Sequence, residues 1–282
     1  MTLRRRLIHA LDRPGGRAVL GAMVTHLARR VAPGVRVYFN RGMWMHRSGD
    51  WAFVGSPILD YHPSVFGAWA EEPRIWIHYT QNHWMHVYES RPGDVVMDIG
   101  AGKGEDAIAF SQAVGSTGRV YAIEAHPITF RCLQLFQELN RLENVVPMHY
   151  AITGKAGPVA IYSTGQWQSN SIATRSGEGS VTVPGMPLDE LIEREKIRRV
   201  DFLKMNIEGA EAKALEGMQR SLGITQALCI SCHDFRANQG DGEQFRTKAL
   251  VKAAVKAAGF RTISRDEDPL PYLADQVNAV RD

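Results

Sequence analysis

From residue 93 onward, apolar runs and helix-period segments alternate along the chain. DVVMDIG reads as a strand, GEDAIAFSQAVG as a helix, GRVYAIEA as a strand and PITFRCLQLFQELNRL as a helix opened by proline. After VVPMHYAIT come LDELIEREK (helix), VDFLKMN (strand), EAKALEGMQRSLG (helix), ALCISCHDF (strand) and GEQFRTKALVKAAVKAAG (helix), then a closing strand pair, FRTIS and QVNAVRD. The strands are apolar almost throughout, as strands covered on both faces are. The expected fold is α/β, a doubly wound Rossmann-like sheet. A Gly/Ser-rich interval, GPVAIYSTGQWQSNSIATRSGEGSVTV, interrupts the alternation and predicts a hairpin with a mobile loop.

The first 90 residues follow another rule. VRVYFNRGMWMHRSGDWAFVGSP predicts a hairpin turning near Ser48-Gly49-Asp50, and IWIHYTQNHWMHVYE a helix leading into the sheet. Two parts are therefore expected: a helical and β-hairpin cap over 1–90, for dimer or substrate contact, and a catalytic α/β domain over 91–282. Trp44, Trp51, Trp69, Trp76 and Trp84 all fall in the cap, where they either fill a core or roof a pocket.

Composition alters this picture little. Hydrophobic content of 44% and charge of 22% are those of a globular protein, and the net charge of +3 gives no reason to expect a nucleic-acid partner. The exception is local. Arg4, Arg5, Arg6, Arg13, Arg17, Arg29, Arg30 and Arg36 face only Asp12 across the first 36 residues. That end reads as a basic amphipathic helix, used first in homodimer contact and second at an anionic surface. No run approaches a membrane span and no secretory leader is recognisable, so stable membrane insertion is not expected and a cytoplasmic location is. Three cysteines make no disulfide framework; Cys229 and Cys232, three apart on one strand, point to opposite faces and read as buried small hydrophobes.

In a doubly wound sheet, ligands bind beyond the carboxyl ends of the strands. The first of these ends carries Asp98-Ile99-Gly100-Ala101-Gly102-Lys103-Gly104, followed by a helix. The third glycine comes one residue earlier than in the dinucleotide fingerprint, which weakens the case for pyrophosphate. Glu124 ends the second strand, where an acid can accept the hydroxyls of a ribose.

These residues resemble the cofactor-binding half of class I S-adenosylmethionine-dependent methyltransferases. The order DIGAGKG, IEAHP, LDELI, VDFLKMNIEGAE and a strand ending in CHDF is similar to the FkbM family of O-methyltransferases over roughly residues 90–262. The resemblance implies S-adenosylmethionine as cofactor and a hydroxyl of a sugar or a polyketide-type metabolite as methyl acceptor. Gly100, Gly102 and Gly104 would lie along the methionine portion, Asp98 near its amino group and Glu124 on the ribose. One position departs from the family: Asn206 stands where an aspartate is usual, and it brings neither charge nor basicity.

Methyl transfer to a hydroxyl requires alignment with the sulfonium and a place for the hydroxyl proton. Glu208, His233 and Lys204 are the candidate catalytic residues, His233 as a general base and Lys204 as a base or as partner of an acid. Alternatively, Mg²⁺ could acidify the hydroxyl, with Asn206, Glu208 and Asp234 as ligands. Glu211, one turn into the next helix, reads as a solvated first-turn acid. His78, His83 and His86 read as core or rim histidines. Two other functions fit the same pattern: an NAD-dependent oxidoreductase, and a non-catalytic module that binds the cofactor.

Overall fold

The computed structural model describes residues 8, 10–59, 61–162 and 180–281. Near the N-terminus, α1 (Arg17–Ala28) lies against β1 (Arg36–Asn40), which is followed by β2 (Met43–Ser48) and β3 (Trp51–Val54). The stretch expected to form one hairpin forms an antiparallel three-stranded meander. The reason is a second turn: Arg41 and Gly42 both hold positive φ, 49° and 85°, as a tight two-residue hairpin turn requires. Leu20, Val24, Ala28, Val37, Trp44 and Trp69 make a local core. Asp12 ties it together, accepting from Arg17 Nε (2.8 Å), Trp44 Nε1 (3.1 Å) and the Leu59 N–H (2.9 Å).

The chain then passes through α2 (Glu72–His83) into the main sheet. Its elements are β4 (Val95–Ile99), α3 (Ala107–Val114), β5 (Arg119–Glu124), α4 (Pro127–Leu139) and β6 (Val145–His149), with β7 (Ala151–Ile152), β8 (Gly157–Tyr162) and β9 (Ser180–Met186) as a side sheet. Next come α5 (Leu188–Arg194), β10 (Val200–Met205), α6 (Glu211–Leu215), α7 (Gln219–Gly223), β11 (Thr225–Ser231), α8 (Asp234–Asn238), α9 (Lys248–Ala257), β12 (Arg261–Ile263), α10 (Pro271–Ala274) and β13 (Gln276–Val280). The seven-stranded order is β12-β13-β11-β10-β4-β5-β6. Strands β11 to β6 run parallel, and β13 is antiparallel to both neighbours. The expected α/β sheet is what forms.

Alternation along each strand divides the apolar residues between two cores. Val96, Phe202, Ala227 and Cys229 face α3, α4 and the meander, while Met97, Leu203, Leu228 and Cys232 face α5, α6 and α9. Cys229 and Cys232 thus lie on opposite faces, both buried, and burial holds the Cys229 thiol up at about 12. The first core also takes in Met43, Met45, Phe53 and Trp84, so the N-terminal part shares its interior with the sheet. Asn140 at the end of α4 stitches the two, accepting from the Ala52 N–H (2.7 Å) and donating to the Ala52 carbonyl (2.9 Å).

EAKALEGMQRSLG forms two short helices in place of one. A Cβ on Gly217 would press within 2.5 Å of the Thr153 carbonyl, and Asp189 of α5 accepts from the Arg220 N–H (2.9 Å) and Ser221 N–H (2.7 Å), starting α7 afresh. The expected hairpin in the Gly/Ser-rich interval is β8 with β9. The loop at 163–179 and the arginines at 4–6 lie outside the described residues. No helix among the described residues is long and apolar enough to cross a membrane.

The Asp12 carboxylate is nearly inaccessible, and its removal strands three donors. Asp12→Ala should therefore lower stability by about 2–4 kcal/mol in urea unfolding, with the carboxyl ends of the main-sheet strands unaffected.

Candidate functional site

A cavity of about 420 Å³ opens at the carboxyl ends of β4, β5 and β10. Its floor is the loop after β4. Gly100 holds φ 76°, and a side chain there would collide with the Asn206 carbonyl, so the loops after β4 and β10 come together only because Gly100 has none. The Asn206 N–H donates to the Ile99 carbonyl at 2.9 Å and seals the junction. Opposite, Glu124 Oε2 accepts from the Gly102 N–H (3.1 Å) and Oε1 from the His126 N–H (2.8 Å). Burial outweighs these bonds and pushes the carboxyl up to about 7. Gly100, Gly102 and Glu124 all line the cavity.

Two other expected cofactor residues serve the architecture. A Cβ on Gly104 (φ 98°) would lie 2.8 Å from Leu133 of α4, so this glycine lets the loop pack on that helix. Asp98 is fully buried and faces Lys204, its register partner on β10, at 2.8 Å. Lys204 Nζ also donates to the Gly100 carbonyl (2.8 Å), lies 3.8 Å from Asp106 and sits 4.9 Å from the Trp84 ring centre. Burial opposes its charge, but Asp98 and Asp106 prevail and raise its pKa. Of the two roles considered for Lys204, the geometry supports the partner of an acid; an ammonium cannot act as a base.

The stretch Asn206–Glu211 leads into a ladder of alternating charge. Glu208 takes a left-handed backbone conformation (φ 54°), followed by Gly209 (φ 94°), and this turns its side chain from β10 toward α8. Glu208 Oε2 accepts from Arg236 at 2.8 Å, and Oε1 lies 3.4 Å from His233 Nε2. His233 Nδ1 lies 3.2 Å from Glu211. Burial works against the imidazolium, yet the two carboxylates raise His233 to about 10. A histidine held in its charged form has no lone pair with which to act as general base, so that expectation is corrected. Glu208 goes the other way: burial pushes it up, His233 and Arg236 bring it below the usual range, and it is a carboxylate. Glu211 also departs from expectation. It is fully buried, accepting from Thr247 Oγ1 (3.1 Å) and the Gly209 N–H (3.1 Å).

The three residues expected to hold magnesium are not brought together. Asn206 and Glu208 line the cavity, but Asp234 Oδ1 accepts from the Thr247 (2.9 Å) and Lys248 (3.0 Å) N–H groups and caps α9. Among the described residues no group of three or more His, Cys, Asp or Glu side chains is placed for a metal ion. The donor set does not fit a divalent cation.

Of the remaining cavity residues the sequence marked only Trp76 and Trp84, as either core or roof. Ile75, Trp76 and Tyr79 of α2, with Trp84 behind them, form the roof; Tyr150, Ala151, Ile152 and Ile161 make an apolar wall. The tryptophans thus divide: Trp76 and Trp84 face the cavity, while Trp44 and Trp69 fill the N-terminal core. Asp106 accepts from Thr80 Oγ1 (2.6 Å) and Trp84 Nε1 (3.1 Å), which fixes the roof to the start of α3. Glu105 lines the cavity as well, raised to about 7 by burial. Of the three clustered histidines, His83 is buried under Tyr79 and Trp84 and lowered to about 3 by desolvation, while His78 bonds Asn82 within the helix.

Residues 98–262, more than half of the chain and including Asp98, Gly100, Glu124, Lys204, Asn206, Glu208 and His233, match the family described as "Methyltransferase FkbM domain". The chain belongs to this family. Hexuronic acid methyltransferase AglP of Haloferax volcanii is 26% identical over 181 residues, covering 64% of this chain and 70% of that one. Among solved structures, Methyltransferase FkbM from Methylobacillus flagellatus is 17% identical with a TM-score of 0.49, covering 79% of this chain and 55% of that one. This chain thus spans little more than half the length of that protein. A SAM dependent methyltransferase from Aquifex aeolicus is 16% identical with a TM-score of 0.43, covering 78% and 98%. Within the FkbM domain, the loop after β4, the end of β5 and the turn after β10 enclose one cavity.

Two outcomes test this site. Lys204→Met should cost about 3–5 kcal/mol in urea unfolding, because it leaves Asp98 buried without its counter-charge. Folding raises His233 from 6.5 to about 10, so its ion pairs contribute fully below pH 6.5 and are lost as pH rises toward 10. The wild-type Tm should fall across that window more steeply than that of His233→Gln.

Proposed function

We propose that this FkbM-domain chain is an S-adenosylmethionine-dependent O-methyltransferase acting on a carbohydrate hydroxyl. The observation that carries the reading is the cavity itself. It lies where a doubly wound sheet binds ligands, its volume is that of a small-molecule site, and bare glycine backbone faces a ribose-height carboxylate across it. The buried Asn206 Oδ1 has no hydrogen-bond partner among the described residues, which is the state of a group awaiting a polar ligand.

The residues fit the cofactor. Glu124 would accept the ribose hydroxyls, the Gly100–Gly102 backbone would lie along the amino-acid portion, and Tyr150 with Ile152 would cover the base. When bound, the cofactor supplies an electrophilic methyl group on sulfonium. Glu208, ionised and fixed by Arg236, would accept a hydrogen bond from the acceptor hydroxyl and orient its oxygen. A hydroxyl becomes strongly acidic as its oxygen gains the methyl carbon, so a carboxylate of low basicity suffices to receive the proton. Tyr79, Trp76 and Ile75 would exclude water from above. No metal enters this scheme. AglP is named for a hexuronic acid, which makes such a sugar the first acceptor to try.

Calorimetric titration with S-adenosylhomocysteine, with NAD alongside, is the direct test. Micromolar binding of the first and none of the second is the expected result; the reverse, or binding of neither, overturns the reading. Because Glu124 titrates near 7 in the ligand-free protein, affinity should weaken below that pH by up to about tenfold per unit. Glu124→Gln should abolish this dependence and bind weakly throughout. Glu208→Gln should reduce kcat by about 10²-fold or more while the nucleoside Kd changes by less than about threefold.

A further inference from the structure

Helix α1 is apolar on two faces. At about 100° per residue, Leu20, Val24 and Ala28 share one arc and pack on β1, while Val19, Met23 and Leu27 share the adjoining arc and point outward. These three are 55%, 47% and 46% exposed, and Val31, in the turn that follows the helix, is 58% exposed. A surface helix needs one apolar face to hold it to its protein. The second, a continuous stripe spaced four residues apart, calls for an occupant.

The charge around the stripe identifies that occupant. Across residues 10–49 the chain carries Arg13, Arg17, Arg29, Arg30, Arg36, Arg41 and Arg47 against one acid, Asp12, which is already paired with Arg17. Arg13, Arg29, Arg30 and Arg36 are exposed around α1, and a groove of Arg17, Arg29, Arg36, His26 and Tyr38 runs between α1 and β1. Sequence adds three further arginines at 4–6. The stripe itself is aliphatic throughout. An exposed aliphatic stripe on a segment whose exposed ionisable groups are arginines and His26 suits a lipid interface, with acyl chains receiving the apolar side chains and anionic headgroups receiving the guanidinium groups.

We propose that α1 docks the protein peripherally on an anionic bilayer surface. Val19, Met23, Leu27 and Val31 enter the interface, and Arg13, Arg29, Arg30 and Arg36 bind lipid phosphates. The proposal is independent of the methyl-transfer reading, since it concerns the opposite end of the N-terminal part and needs no cofactor.

Co-sedimentation of the full chain with vesicles tests it. Vesicles of equimolar phosphatidylcholine and phosphatidylglycerol should bind at least about tenfold more tightly than phosphatidylcholine alone, with binding released by salt. Met23→Glu with Leu27→Glu should lose about tenfold or more of that binding at unchanged Tm and unchanged S-adenosylhomocysteine affinity. Arg29→Gln with Arg30→Gln should remove the preference for the anionic lipid. Absence of binding at low salt, equal binding to both vesicle types, or undiminished binding by the Met23/Leu27 variant would overturn the proposal. So would a wild-type dimer in sedimentation equilibrium that the same variant splits, because a second copy would then own the stripe.

Discussion

The buried ammonium of Lys204 is the interaction on which the site depends. It lies in the middle of the sheet, on a strand whose other buried residues are apolar, and reaches both neighbours of the cavity floor: Asp98 beside it on β4 and the Gly100 carbonyl at the start of the glycine loop. An unpaired charge at such depth is too costly to keep, so the partners are obligatory. Asp106 approaches from α3 and holds Thr80 and Trp84 of the roof. One cation thus fixes strand, loop and roof relative to one another. Neither Asp98 nor Lys204 need touch a ligand to decide where the ligand lies.

A second charge arrangement fixes the working edge of the cavity. Arg236, Glu208, His233 and Glu211 alternate in sign, and each member is held by its neighbours. The ladder places one carboxylate at the cavity and keeps it ionised, while the far end is anchored by Thr247 at the start of α9. The left-handed backbone at Glu208 is what this placement requires: a residue at negative φ would continue the strand direction and aim the side chain elsewhere. Local strain and the ionic ladder therefore belong to one device, the first aiming the carboxylate and the second fixing its protonation state.

Much of the fold was legible because period and burial are one-dimensional signals. Apolar runs broken by helical stretches marked β4, β5, β10 and β11, and strand-end positions pointed to Gly100, Gly102, Glu124, Asn206 and Glu208, all of which line the cavity. What escaped was decided by contacts far apart in the chain. Glu211 looked like a helix-start acid and is buried because His233 and Thr247, more than twenty residues on, converge on it. His233 looked like a base by its intrinsic pKa; two carboxylates from another loop reverse that reading. The roof residues Trp76 and Tyr79 were visible as aromatics, but only α2 docking on α3 through Thr80 and Asp106 turns them toward the cavity. Asp234, placed correctly at a strand end, is spent on capping α9, a partner no local pattern announces.

The same electrostatics make sense of Asn206. Its Oδ1 is buried at the cavity wall without a partner among the described residues. An aspartate there would be a further buried anion on a floor whose cations are already engaged: Lys204 by Asp98 and Asp106, Arg236 by Glu208 and Asp241, His233 by Glu208 and Glu211. With no counter-charge left, burial would protonate it and leave a neutral carboxyl of uncertain donor sense. Asparagine offers a fixed acceptor and a fixed donor at every pH, which suits a position that recognises a ligand's polar group and leaves charge to Glu208. Asparagine at 206 is thus compatible with the proposed site, in which Glu208 alone is the carboxylate assigned to the acceptor hydroxyl.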